Sequence, residues 1–212
     1  MLQAIMEYLE EHVEPSPDWA KQLEKLAKED QVPIMEPVGI QFLMQLIRLH
    51  QPAKILEIGT AIGYSALMMR HAKPDARIVT VERDDIRYEQ ALTHIAQQGA
   101  DEDILILKGD AFDLEGTIRA HAPYDFVFID AAKGQYQRFF EAYSGMLSER
   151  GVIVSDNVLF KGYVADDSEA TPRKANIAKK IRKYNDWLFE HEDFHTMILP
   201  VGDGVAVSVK KK

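Results

Sequence analysis

"LEIGTAIGYS", residues 56–65, runs from an apolar stretch through Glu57 to Gly59, and a second glycine, Gly63, follows four residues later. An apolar run, a glycine turn and a following helical pattern describe a strand feeding a helix through a tight connection. Gly59 and Gly63 let the backbone turn sharply and approach a ligand, and Ser65 or a free N–H at the start of the next helix can donate to it. Outward from this stretch, short β-branched runs recur with helical patterns between them. They are "KILEIG" (54–59), "RIVTVE" (77–82), "ILILKG" (104–109), "YDFVFID" (124–130) and "GVIVSDN" (151–157). Such alternation predicts a parallel sheet covered by helices. The pattern "DIRYEQALTHIAQQG" ends on Gly99, and "QYQRFFEAYSGML" joins the fourth strand to the fifth. At the C-terminal end, "FHTMILPV", Gly202-Asp203-Gly204 and "VAVSVKKK" read as an antiparallel hairpin that closes the sheet. About 50 residues of helical pattern, broken at Pro15, Pro17, Pro33 and Pro37, precede the first strand. The expectation is one α/β domain over 1–212, with a helical cap at 1–50 and a seven-stranded, mostly parallel core at 51–212.

The 212 residues are 46% hydrophobic, enough for one ordinary core. No stretch approaches the roughly 18 apolar residues of a membrane span, and the acidic start lacks the basic end of a signal peptide, so the chain is expected to be soluble and cytoplasmic. With no cysteine, any metal must be held by oxygen or imidazole. A net charge of −9 argues against non-specific coating of nucleic acid. The charge is uneven, however. Residues 1–30 carry eight Asp/Glu against three Lys, whereas 171–185, "TPRKANIAKKIRKYN", carry six Lys/Arg and no acid.

In an open α/β sheet, ligands bind beyond the carboxyl ends of the strands, beside the first strand. A dinucleotide fingerprint, G-x-G-x-x-G, would need glycine at 61 and 64, where Ala61 and Tyr64 stand; a nicotinamide-dependent oxidoreductase is disfavoured on that ground. The spacing E-x-G-x-x-x-G resembles instead the first motif of class I methyltransferases that use S-adenosylmethionine. Glu82, ending the second strand, is placed to accept from ribose hydroxyls. Asp110 and the Ala111 backbone, after the third, can address an adenine ring. The plainer alternative is turn glycines and a helix cap with no cofactor.

Asp130 ends the fourth strand and Asp156-Asn157 the fifth, and neighbouring strand ends lie about 5 Å apart. Two carboxylates crowded at an apolar edge repel and lose solvation, a cost that a cation removes. With Asn157 they offer half of the octahedral oxygen set of Mg²⁺. The alternative is that both aspartates merely cap the helices that follow. Here the chain resembles the metal-dependent catechol O-methyltransferase-like family, which includes hydroxycinnamoyl thioester methyltransferases. The resemblance rests on "EIGTAIGYS", "VE" at 81–82, "GDA" at 109–111, "DAAKGQY" at 130–136 and "SDN" at 155–157, and extends from about residue 30 to the C-terminus. It implies a Rossmann-like class I methyltransferase fold. It also implies metal binding by Asp130, Asp156 and Asn157, and a cofactor site of Met35, Glu57, Gly59, Ser65, Glu82, Asp110, Ala111 and Asp130. Lys133 would stand beside the acceptor hydroxyl, where a neighbouring cation would depress its pKa and let it take the proton. Lys133 and Asp130 are thus the candidate catalytic residues, Lys133 otherwise being a solvated surface lysine.

"HEDFH", residues 191–195, matches the H-E-x-x-H zinc pattern, but it falls where a helix gives way to a strand, so the two histidines would not share a helical face. The basic segment reads as an amphipathic helix, with Ile177, Ile181, Tyr184 and Leu188 on one side and Lys179, Arg182 and Lys183 on the other. It follows the loop leaving the metal strand. Together with Lys161, Arg173 and Lys174, these cations form a candidate RNA-binding rim. Bacterial proteins that this chain resembles in length and motifs methylate 5-hydroxyuridine in the anticodon loop of transfer RNA. The 5-hydroxyl and 4-carbonyl of that base form a vicinal oxygen pair as a catechol does, and a loop base can be splayed out without breaking a duplex. A small catechol-like phenol is the second acceptor, and a non-catalytic binding module the reading from another class. The resemblance also suggests a homodimer built on apolar surface of the N-terminal helices and the hairpin.

Overall fold

The computed structural model describes residues 5, 8, 9 and 11–212. Helices α1 (Asp18–Glu29) and α2 (Pro37–His50) precede β1 (Lys54–Ile58), α3 (Tyr64–Ala72), β2 (Arg77–Glu82), α4 (Asp85–Gln97) and β3 (Ile104–Lys108). There follow α5 (Glu115–Ala120), β4 (Tyr124–Ile129), α6 (Tyr136–Ser144), β5 (Leu147–Ser155), a single 3-10 turn at Phe160–Gly162, α7 (Pro172–Glu190), β6 (Phe194–Leu199) and β7 (Val205–Lys210). One seven-stranded sheet runs in the order β3-β2-β1-β4-β5-β7-β6. Its first five strands are parallel, and β7 pairs antiparallel with both β5 and β6. This is the parallel sheet that the alternation of patterns predicts, closed by the expected terminal hairpin, in the Rossmann-like form that the resemblance implies.

Alternate side chains of each strand feed two cores. Ile55, Ile78, Phe126, Phe128 and Val154 pack against α1 to α4 on one face. Leu56, Val79, Val127, Ile129 and Ile153 meet α5, α6 and α7 on the other. The N-terminal helices therefore form part of a layer on one face of the sheet, and the link between α1 and α2, with Gly39 in the first turn of α2, reaches the carboxyl edge.

One boundary differs from the sequence reading. The fifth strand begins at Leu147, which pairs with Tyr124, and its register shifts before Val152 pairs with Phe126. Exposed Glu149 and Arg150 occupy the irregular part and hide the strand in the pattern. Helix α6 accordingly stops at Ser144, and the Gly145-Met146 turn replaces its expected last residues.

Register brings the strand tips together. Ile58 pairs with Ile129, and Ile129 with Ser155. The ladder continues one step past the strands: Asp130 N donates to Ile58 O at 3.0 Å, Asp156 N to Ile129 O at 3.0 Å, and Gly109 N to Glu82 O at 2.9 Å. Gly59, Asp130 and Asp156 thus stand side by side at the point where strand order reverses, the place an open α/β sheet offers to a ligand.

Candidate active site

A cavity of about 680 Å³ opens along these tips. Met35, Gly59, Glu82, Asp110 and Ala111 line one part of it, with Arg83 and Arg87 beyond, and Asp130, Lys133, Asp156, Asn157, Phe160, Lys161 and Asp203 line the other. Gly59 has φ +106 and Gly63 φ +86, conformations that glycine alone adopts without strain. A Cβ on Gly59 would overlap the carbonyl oxygen of Asp130, so this glycine also allows the first strand's turn and the fourth strand's tip to touch.

Glu82 is held by three backbone donors. Its Oε1 accepts from Arg83 N and Asp84 N, both at 2.9 Å, and its Oε2 from Ala61 N at 2.8 Å. The backbone alone fixes the orientation of this carboxylate at the cavity wall. Glu57 and Ser65 lie elsewhere, behind the turn. Glu57 is fully buried and accepts from Ser65 Oγ and Thr80 Oγ1, both at 2.5 Å, and neither Glu57 nor Ser65 lines the cavity. Burial pushes the Glu57 carboxyl up to about 7, against the pull of those two hydroxyls. These two motif residues support the turn from below.

At the other end, Asn157 Nδ2 donates to Asp130 Oδ1 at 2.9 Å and to Asp156 Oδ2 at 3.1 Å. An amide nitrogen therefore bridges the carboxylates where a cation between them would sit, and a flip of that amide presents its oxygen to the same point. Burial raises the Asp156 carboxyl to about 8, with Asp130 adding to the rise, and burial raises Asp130 as well. Two desolvated carboxylates and one amide oxygen fit a hard divalent ion. Among the described residues no group of three or more His, Cys, Asp and Glu side chains is arranged to hold a metal, so this mixed oxygen set is the candidate. Lys133 sits beside it. Burial lowers its pKa below the usual lysine range, while Asp130, Asp203 and Asp156 hold it up.

Asp203 and Phe160 are site residues that the sequence reading did not single out. Asp203 belongs to the hairpin turn, and its carbonyl accepts from Leu159 N at 2.8 Å and Phe160 N at 3.1 Å, which fastens the turn to the loop after β5. The signal was present in Gly202-Asp203-Gly204, a turn on a strand neighbouring β5. The Phe160 ring faces the Lys133 ammonium, 5.3 Å from its centroid. Phe160 and Lys161 carry φ of +46 and +55, a strain of about 1–3 kcal/mol per non-glycine residue.

The basic helix is real, but its cations divide. Arg173, Lys179 and Lys183 are exposed. Arg182 instead donates to Val164 O at 2.9 Å, and Lys174 to the Tyr163 hydroxyl at 3.2 Å. Lys180 also approaches the cavity mouth, against Gly134. The zinc pattern separates as expected: His191 follows α7 among Phe140, Trp187 and Phe194, while His195 lies on β6.

A family model described as O-methyltransferase matches residues 10–211. A catechol O-methyltransferase of Niastella koreensis is 33% identical over 180 residues, covering 81% of this chain and 79% of its own. A structure from Staphylococcus aureus, described provisionally as a caffeoyl-CoA O-methyltransferase, superposes with TM-score 0.88 at 32% identity over 98% of both chains. An O-methyltransferase from Bacillus cereus in complex with SAH superposes with TM-score 0.83 at 25% identity, over 98% of this chain and 97% of that one.

Proposed function

Since this chain belongs to the O-methyltransferase family, we propose that it moves a methyl group from S-adenosylmethionine to the 5-hydroxyl of 5-hydroxyuridine in the anticodon loop of transfer RNA, with Mg²⁺ bound. The observation that carries the chemistry is the Asp130/Asp156/Asn157 cluster, with Asp156 buried and the other two half-buried, beside Lys133 at one end of a cavity whose other end presents Glu82.

A sulfonium donor bound here would supply an electrophilic methyl carbon, its C–S bond breaking as the C–O bond to the acceptor forms. Mg²⁺ held by Asp130, Asp156 and Asn157 would lower the pKa of a hydroxyl chelated with its vicinal oxygen and fix its direction. Glu82, its orientation already set by Ala61, Arg83 and Asp84, would accept from the ribose diol. Asp110 and Ala111 would border the adenine, and Met35 lines the cavity from the link between α1 and α2. Lys133, depressed by burial, takes the hydroxyl proton. Gly59 lets the turn after β1 touch the tip of β4, and that closeness would let the donor and acceptor ends hold their reactants in line.

For the acceptor, support comes from the exposed Arg173, Lys179 and Lys183 on the helix that follows the site loop, with Lys161 at the mouth. A small catechol-like or hydroxycinnamoyl acceptor is the second reading, favoured by the names of the relatives above. Labelled S-adenosylmethionine is incubated with hydroxyuridine-containing transfer RNA and with a catechol panel, each with Mg²⁺ or chelator. Transfer to RNA that is lost on chelation and in Asp156→Ala is expected. Activity that survives both would sink the metal role, and turnover of catechols alone would replace the acceptor. We also propose that a second copy of the chain covers the uncovered apolar face of β5, β7 and β6.

A further inference from the structure

The loop after β5 has an unusual conformation and is held from two sides. Phe160, Lys161 and Gly162 all have positive φ, at +46, +55 and +84. On one side the hairpin turn takes its first amides: Val158 N donates to Gly204 O at 2.9 Å, and Leu159 N and Phe160 N donate to Asp203 O. Gly204 is needed there, because a Cβ would overlap the Leu159 side chain. On the other side stands α7. Asn185 Nδ2 donates to Val158 O at 2.8 Å. Arg182 Nε donates to Val164 O at 2.9 Å, its Nη2 to Tyr163 O at 3.4 Å, and the same guanidinium pairs with Asp167 at 3.5 Å. Lys174 adds a bond to the Tyr163 hydroxyl and lies over that ring, 5.0 Å from its centroid.

A planar guanidinium suits this task, since its donors are spread over a rigid fork whose Nε and Nη2 reach two successive carbonyls and an acid, whereas an ammonium offers all its donors from one atom. The loop it fixes presents Phe160 and Lys161 to the cavity beside Lys133.

We infer that Arg182 is a positioning residue for the acceptor end of the cavity, a tether that holds the Phe160–Val164 turn in its left-handed form, rather than a contact for RNA phosphate. The assignment of that end to the acceptor rests on the function proposed above; the tether itself does not. Its consequence is that acceptor recognition of every kind passes through Arg182, whereas a phosphate contact would matter for RNA alone.

Arg182→Met keeps the stem and removes the donors; Arg182→Lys keeps the charge and one donor group. The direct readout is hydrogen exchange at the amides of Gly162, Tyr163, Val164, Ala165 and Asp166, all bonded within the loop. In Arg182→Met their exchange should quicken about tenfold or more, with β1 to β5 unchanged, and Arg182→Lys should recover part of the protection. With catechol as a phosphate-free acceptor, KM should rise about tenfold while S-adenosylmethionine binds within about twofold of wild type. Unchanged loop exchange overturns the tether. Loss confined to RNA, steeply salt-dependent and with catechol turnover intact, overturns it in favour of a phosphate contact. If wild type methylates neither acceptor, the proposed function fails, and the exchange measurement still decides the role of Arg182.

Discussion

Glu57 carries a burden that its place in the motif does not suggest. Fully buried, with Ser65 and Thr80 as its donors, it keeps a proton in the folded state up to about pH 7. Its folded pKa lies above its ordinary value of 4.5, so its stabilising effect is complete below about pH 4.5 and is lost as pH rises through about 7. The loss is on the order of 3 kcal/mol. Glu57→Gln, which keeps the shape and an acceptor, should therefore lose less stability than wild type between pH 5 and pH 8, measured by urea unfolding across that range. Parallel curves for the two proteins would assign the pH dependence to other groups. Residue identity made Glu57, Ser65, Gly59 and Glu82 legible as a cofactor turn, but not which of them face the ligand. Facing is a matter of burial: Glu82 is fixed by backbone donors at the cavity wall, whereas Ser65 turns inward to Glu57. Gly59 was legible as a turn, while its contact with the Asp130 carbonyl depends on a register between residues 71 positions apart that no local pattern carries.

At the scale of elements, strand endings carried most of the reading. β1 to β4 lie within a residue of their expected bounds because they are buried strands with near-continuous apolar sequence. β5 was shortened in the sequence by Glu149 and Arg150, whose charge contradicts the pattern where the strand is irregular. The hairpin was legible as a hairpin; that its turn folds back to the edge bearing Asp130 and Asp156 and contributes Asp203 follows from β7 pairing with β5, a non-local fact. Helix α7 shows the same limit. Its basic face was visible as a pattern, yet the partners of each cation were not, and Arg182 and Lys174 turn out to serve the neighbouring loop. The exposed subset then makes the sharper test. Reversing charge at Arg173, Lys179 and Lys183 together should raise KM for hydroxyuridine-containing transfer RNA about tenfold or more and flatten its salt dependence, with S-adenosylmethionine affinity unchanged. Steady-state kinetics at two salt concentrations checks it. Unchanged RNA kinetics would make this face merely solvated and move the acceptor toward a small phenol.

Across the whole molecule, the two faces of the sheet are unequally covered. On the α7 side, Phe194 and Ala206 are buried. On the other side, α2 reaches only as far as Leu46 and Leu49, leaving an apolar groove with Val152, Val154 and Val207. Pairing sets Met197 opposite Val207 and Val207 opposite Val154, so the groove continues onto the outer strand. Leu49 is 73% exposed and Met197 67%, in a chain whose other large apolar side chains are mostly buried. An exposed apolar patch of this kind is the type of surface that another protein chain covers. A two-fold pairing places the same patch on both partners, so one substitution acts twice. Leu49→Lys with Met197→Lys would bury like charges against each other and against apolar side chains, and should shift a dimeric wild type to monomer in light scattering while S-adenosylmethionine binding persists. Each variant site lies away from the cavity, so loss of assembly can be separated from loss of the site. A wild type that is monomeric at micromolar concentration, or a variant that stays dimeric, would show that this face is covered by something other than a second copy.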